Sequence, residues 1–389
     1  MTRISVNPPL SNSLSLARVG AIPDRMDNSN QINFFINTTA FSFLFIGYFL
    51  TTGTEIIQSD LIKIGFRLFS LTLFLLAIIF NKIVQLKHLL ILCILTTFFI
   101  INQSNVAINA IYLIIIIMSL HRQSQKQVSI SLTIPVLMTV ILHLALLNVG
   151  VLDSSSILIG ERTRSALGFT NANQASAIYL SFSILALFTH QIVATKTSLT
   201  LMLASFLVGF FITGMTDSRT TMAAMFLVLA LKSFEYLFLW MKTYKFMIRV
   251  VAAGALLIAS VITYFITFSN SKELNIFLSS RPYFFSEFLR SVAPFEFIFG
   301  WSTNDGLSVD NLFLMLLSGF GLFGSILIIL SISFRIYHTS FKYIAIIITM
   351  ISTSVFEAFL IRPEIPISIL FLYLLLTKEL KNDKGTLHF

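Results

Sequence analysis

The chain has 389 residues, 56% of them hydrophobic and only 11% charged, and its mean hydropathy is +0.88. Soluble domains carry about 25% charged residues, so a protein of this size cannot be solvated by water alone and lipid must serve for much of its surface. The formal net charge of +9 raises nucleic acid as a partner; the placement of those charges decides against it.

Residues 1–32 are polar, with Ser, Asn, Pro and mixed charges. They read as a disordered tail and not as a signal peptide, which would pass at once from a basic start to an apolar stretch. A hydrocarbon core about 30 Å thick takes roughly 20 apolar residues in helical form. Lipid leaves such runs no choice but helix, because backbone groups must pair internally. Twelve spans are predicted, at 33–53, 61–80, 86–103, 105–120, 128–150, 173–194, 197–214, 219–240, 247–268, 308–331, 341–361 and 364–378. The third and fourth form a hairpin about a short Asn/Ser turn, and the last is short, with Pro366 near its start. Residues 379–389 make a second polar tail. The expected fold class is therefore all-α and polytopic, one transmembrane domain over 33–378. No internal repeat is evident, and the single cysteine, Cys93, rules out a disulfide framework or a cysteine metal site.

Lys and Arg in the connecting segments set the orientation. With both ends placed in the cytoplasm, 17 of the 26 basic residues but only 5 of the 17 acidic ones fall inside. The positive excess thus belongs to topology, and nucleic acid loses its support. Two long connections, 151–172 and 269–307, fall outside. The second is aromatic, with Arg281-Pro282-Tyr283-Phe284-Phe285, and is expected to contain a short interfacial helix folded onto the membrane domain.

The outside basic residues are informative because the topology rule works against them. Glu161-Arg162-Thr163-Arg164 leads into Gly168-Phe169-Thr170-Asn171-Ala172-Asn173 just before a helix. Two arginines, amide donors and a helix N-terminus capped at Asn171 or Asn173 would suit a phosphate or diphosphate. The same residues also fit an ordinary loop with interfacial arginines. Arg219 enters a helix after Asp217, its bland alternative partner, and Arg281 could equally be a solvated or headgroup anchor. Asp310-Asn311 opens a Gly-rich helix, with Asp310 read either as a cap or as a proton acceptor. His143 lies within a span away from the inside end, where the other histidines fall on or near the inside; there a functional role competes with a neutral ring bonded to a backbone carbonyl. Lys63 and Arg67 are explained by snorkelling to headgroups. No nucleotide loop, metal-ligand cluster or hydrolase elbow is present in the sequence.

Arg164-Ser-Ala-Leu-Gly168-Phe-Thr-Asn-Ala-Asn173, Asp217-Ser-Arg219, Ser280-Arg281, Phe299-Gly300 and Asp310-Asn311-Leu-Phe-Leu stand in this order over 160–325. Taken together they resemble the bacterial O-antigen ligase and polysaccharide polymerase superfamily, most closely a Wzy-type polymerase. The resemblance implies a GT-C-like membrane glycosyltransferase in the bacterial cytoplasmic membrane. It would transfer an undecaprenyl-pyrophosphate-linked glycan onto a lipid-linked repeat unit at the outer face, in company with a chain-length regulator and a flippase. It implies no cofactor and no metal. Arg162, Arg164, Asn173, Arg219, Arg281 and Asn311 would bind the diphosphate or substrate. Asp310 would accept the acceptor's proton, with Glu161 or His143 in reserve. Ligases of the family usually have a His where Asp310 stands, which favours a polymerase. A ligase, or a lipid-linked oligosaccharide flippase, remains the alternative.

Overall fold

The computed structural model describes residues 28–81, 86–153, 156–159, 162–238, 241–269, 271–278, 281–290, 292–301 and 310–376. Of the two expected tails, 1–32 and 379–389, residues 1–27 and 379–389 lie outside these residues, and 28–32 belong to a helix. The body is helical: α1 (Asn28–Tyr48), α2 (Asp60–Asn81), α3 (Leu86–Asn102), α4 (Asn105–Leu120), α5 (Gln125–Asn148), α6 (Ala172–Val193), α7 (Lys196–Met215), α8 (Arg219–Phe238) and α9 (Lys242–Thr267). Three short helices follow, α10 (Lys272–Phe277), α11 (Arg281–Arg290) and α12 (Pro294–Phe299), then α13 (Leu312–Tyr337), α14 (Ile344–Ser354) and α15 (Pro366–Leu376). Among the described residues eight helices are long and apolar enough to cross a membrane, and α3, α4, α14 and α15 are shorter apolar helices. This is the architecture of an all-helical polytopic membrane protein.

Composition decides the layers. α6 is buried without interruption from Ala175 to Thr189, and α15 is buried over nearly its whole length. These two form the centre, with α15 against α4, α6, α13 and α14. The outer helices turn Leu68, Ile79, Leu207, Phe211, Phe226, Phe265 and Leu327 outward. Such a surface is costly in water and neutral in lipid.

Apolar packing between helices gains little in lipid, where hydrogen bonds and close approach take over. One end of the bundle is tied by neutral amides. Asn33 Nδ2 donates to Asn81 Oδ1 (2.6 Å), Asn81 Nδ2 to Ser119 O (2.9 Å), and Ser119 Oγ to Asn37 Oδ1 (2.8 Å). This knot joins α1, α2 and α4. The opposite end carries the two long connections, 149–171 and 268–311, and is termed the loop end.

Both connections differ from expectation. The first contains an antiparallel hairpin, β1 (Ser156–Ile159) and β2 (Arg162–Ser165), so the chain is not purely α. The second contains three short helices in place of one. Its last, α12, docks on α13, which breaks at Gly321 with φ 64° and ψ −178°. A Cβ there would lie 2.1 Å from Ile298 O, so only glycine allows the approach. Asn102 Nδ2 donates to Phe299 O (2.7 Å) and Gly319 O (3.2 Å), and Trp301 N donates to Ser318 O (2.7 Å). The broken backbone lies roughly 15 Å along α13 from Asn311, at 1.5 Å per residue. It is sealed by protein, the condition under which lipid tolerates irregular chain.

Helix ends also move. α1 begins at Asn28 and not at 33, and α13 begins at Leu312 and not at 308. α14 stops at Ser354, seven residues short of the predicted span. Pro363 and Pro366 force the residues before them out of helical geometry, and Arg362 is extended at φ −94°, ψ 109°. Residues 355–365 therefore form an irregular, largely buried connection at the loop end.

Candidate functional site

Arg164, on β2, reaches two elements. Its Nε donates to Thr216 O (3.0 Å) in the α7–α8 turn, and its Nη2 donates to Asn173 Oδ1 (2.7 Å) in the first turn of α6. Asn171 caps α6 by accepting from Asn173 N (2.9 Å). The expected union of Arg164 and Asn173 at a helix N-terminus is thus formed. Glu161 lies outside the described residues, and of Arg162 only the backbone, in β2, is described.

His143 is buried in α5 with both ring nitrogens engaged. Its Nε2–H donates to Leu167 O (2.9 Å), and Nδ1 lies 2.6 Å from the Tyr179 hydroxyl, which donates to the neutral ring. Phe49 and Phe169 pack edge-on against it. The imidazole therefore fixes the turn at Leu167, whose φ is 50°. As a reserve proton acceptor His143 is poorly placed, because nothing of it is open to a substrate.

Asn311 is likewise internal. Its Oδ1 caps α13 by accepting from Leu314 N (3.0 Å), and its Nδ2 donates to Val355 O (2.5 Å) and Thr263 Oγ1 (3.2 Å). The side chain joins α9, α13 and residues 355–365, and its amide is spent there and not on a ligand. Asn311, not Asp310, is the helix cap. Asp310 is thereby released from capping and faces Arg362 Nη2 at 3.3 Å.

Arg281, at the start of α11, donates from Nη2 to Glu357 Oε1 (2.8 Å) and lies over the Phe356 ring. Arg67, on α2, pairs with the buried Glu364 while nearly half of its own side chain stays exposed. Arg219 is more than half exposed, with Asp217 at 3.8 Å, and forms the loosest pair of the group.

These pairs converge on residues 355–365. Glu357 feels the charges of Arg281, Asp310, Arg362 and Arg164 together. It lies beyond the end of α14; burial pushes its carboxyl up from the usual carboxylate range, while the Arg281 guanidinium acts in the opposite sense. The cluster contains four arginines, Arg67, Arg164, Arg281 and Arg362, and three carboxylates, Asp310, Glu357 and Glu364. Guanidinium pairs in a fork with phosphate as readily as with carboxylate, and an uncommitted carboxylate can accept a hydroxyl proton.

Sequence reasoning missed Glu357, Arg362 and Glu364. The rule that singled out His143 applies equally to Glu357 within the predicted span 341–361. The attention given to basic residues on the outer side applies equally to Arg362. Arg362 falls in the short turn at 362–363 between two predicted spans.

Fold and site together define a predominantly helical membrane protein with a partly buried arginine–carboxylate cluster at one end. No family model, curated protein or solved structure matches this chain.

Proposed function

We propose that this chain is a polysaccharide polymerase, transferring a glycan from an undecaprenyl-diphosphate donor onto a lipid-linked repeat unit. In this reading the loop end faces outward from the bacterial cytoplasmic membrane and both chain ends face the cytoplasm. The observation that carries it is the convergence of Arg281 and Asp310, from two separated stretches of sequence, on the one connection that holds Arg362 and Glu357, with Arg164 near enough for its charge to act on Glu357. Buried charge at a membrane-protein surface is costly and is retained where it acts.

The chemistry fits the residues. Diphosphate departs as a multiply charged anion, and preorganised guanidinium groups stabilise that charge as it develops. The acceptor hydroxyl needs positioning and a proton acceptor, for which Asp310 is the accessible carboxylate. Tyr283, more than half exposed on α11, is available to stack on a sugar face.

Cells lacking the gene and carrying Arg164→Ala or Arg281→Ala provide the test. Each variant is expected to lose polymer about 10²- to 10³-fold, the cost of removing one charge-stabilising donor, and to leave single lipid-linked repeats. Arg281→Lys, which keeps a charge beside Glu357, separates loss of function from loss of fold. Full-length polymer from both alanine variants would contradict the reading. Long chains stranded on the carrier would point to a ligase instead.

A further inference from the structure

The ion pairs on residues 355–365 are not equivalent. Glu357 and Glu364 have side-chain exposures of only 3% and 5%, and each is held by an arginine from another element. The middle pair is reversed: here the connection supplies the cation, Arg362, and the carboxylate, Asp310, comes from the stretch before α13. Arg362 and Asp310 are 29% and 34% exposed, and their 3.3 Å separation exceeds the 2.8 Å of Arg281–Glu357. Arg67 is itself 47% exposed, but its carboxylate is not; Arg362–Asp310 is the pair in which solvent, and hence a ligand, reaches both partners.

A second observation lies beside it. The Tyr48 hydroxyl, at the C-terminal end of α1, is buried near Arg362, Glu364 and Arg67; the Arg362 guanidinium lies against its oxygen, and its O–H meets no well-formed acceptor among the described residues. A buried O–H without an acceptor is unfavourable unless something completes it. Arg362 offers a fork of donors and Tyr48 an O–H donor, and a phosphoryl group accepts from both.

We propose that Arg362 and Tyr48 form the receiving position for a phosphoryl anion, and that Asp310 is the resting counter-ion which that anion displaces. Naming the anion as a polyprenyl diphosphate rests on the polymerase reading. Arrival of the donor then prepares the base: the diphosphate takes Arg362, and Asp310, freed of its partner, has its carboxylate oxygen open to an acceptor hydroxyl. The acceptor hydroxyl oxygen bonds to the anomeric carbon as the bond from that carbon to the diphosphate oxygen breaks. The bonding pair leaves with the diphosphate, against Arg362, and the hydroxyl proton passes to Asp310. Before donor binding the base is masked, which guards against hydrolysis of a donor that is not yet seated.

The test uses the full-length chain in zwitterionic nanodiscs, with equilibrium binding of farnesyl diphosphate and, separately, inorganic diphosphate. Arg362→Ala is expected to weaken binding at least about 10-fold and Tyr48→Phe several-fold, with Arg290→Ala unchanged. Asp310→Asn is expected to tighten it several-fold, because the competing carboxylate is gone. Preference for farnesyl diphosphate assigns a lipid headgroup, and equal binding of inorganic diphosphate assigns a free anion; both support the site. Wild-type affinity in Arg362→Ala, or an Asp310→Asn variant that binds no tighter, overturns it. Should Arg362→Ala fail to fold, Asp310→Asn decides, since it changes charge and almost no volume. Binding that obeys these rules without polymer in cells defeats the polymerase reading alone. Wild-type polymer made by Arg362→Ala defeats this inference alone.

Discussion

The two ends of the bundle are both buried and polar, yet they are built from different chemistry. At one end Asn33, Asn37, Asn81, Ser119 and Gln123 exchange neutral hydrogen bonds across α1, α2 and α4. At the loop end the partners are ions, and the backbone that carries them leaves α-helix over residues 355–365, with a single 3-10 turn at Phe359–Ile361. Neutral amides suffice to hold helices together in lipid. Ion pairs are poor value for stability alone, because desolvation offsets the attraction. The amide knot is thus what a structural tie looks like in this protein, and the charge cluster exceeds what a tie requires.

That contrast can be broken by substitution. The largest loss of stability is expected for Glu357→Ala, which leaves Arg281 facing an apolar enclosure. Removing one partner of a buried pair costs about 3–5 kcal/mol, and the lower end applies because Arg281 is one-fifth exposed. Thermal unfolding in detergent measures it, and Glu357→Gln, which keeps an acceptor, should lose less. Next is Gly321→Ala, which meets Ile298 O and a left-handed backbone together. A loss of about 2–3 kcal/mol is expected, with greater proteolysis near 298–301.

Asn81→Ala removes two hydrogen bonds of the amide knot and should cost about 1–2 kcal/mol while leaving polymer length unchanged. A fall in polymer at unaltered protein level would erase the distinction drawn between the ends. The smallest effect is expected for Arg219→Ala. Its pair with Asp217 is long and exposed, and such pairs contribute about 0–1 kcal/mol, so unfolding temperatures should scarcely move.

The predicted spans and the helices agree in place for the long apolar runs, because lipid allows those runs a single solution. They part where the chain carries proline or a polar residue inside an apolar context. The span at 341–361 ran past Ser354 since Val355, Phe356 and Ala358 to Ile361 are apolar, and hydropathy does not register the effect of Pro363 and Pro366. The Gly-rich start of α13 was legible as a place of close approach. That its partner would be the 298–301 turn was not, because the contact joins segments through Asn102 of another hairpin.

Of the candidate residues, Arg164 and Asn173 were legible as a pair because they are nine positions apart, at a helix start. Asp310 and Asn311 were legible as a helix opening, and their division of labour was not. A cap needs only an oxygen in the right place, and either neighbour could supply one. His143 presents the same limit, since a ring with two buried partners and a ring facing a cleft are identical in sequence.

The amino-acid sequence by itself determined the solvent of this protein and the long apolar helices suited to it. Those follow from composition and local periodicity, which any stretch of about 20 residues displays. Tertiary structure alone decided which arginine meets which carboxylate. Arg67 and Glu364, Arg281 and Glu357, and Arg362 and Asp310 are separated by 297, 76 and 52 positions, and no local rule links residues so far apart. Their meeting depends on how α4, α6, α13 and α14 pack about the buried α15, and on prolines that keep the end of 355–365 from continuing as α-helix.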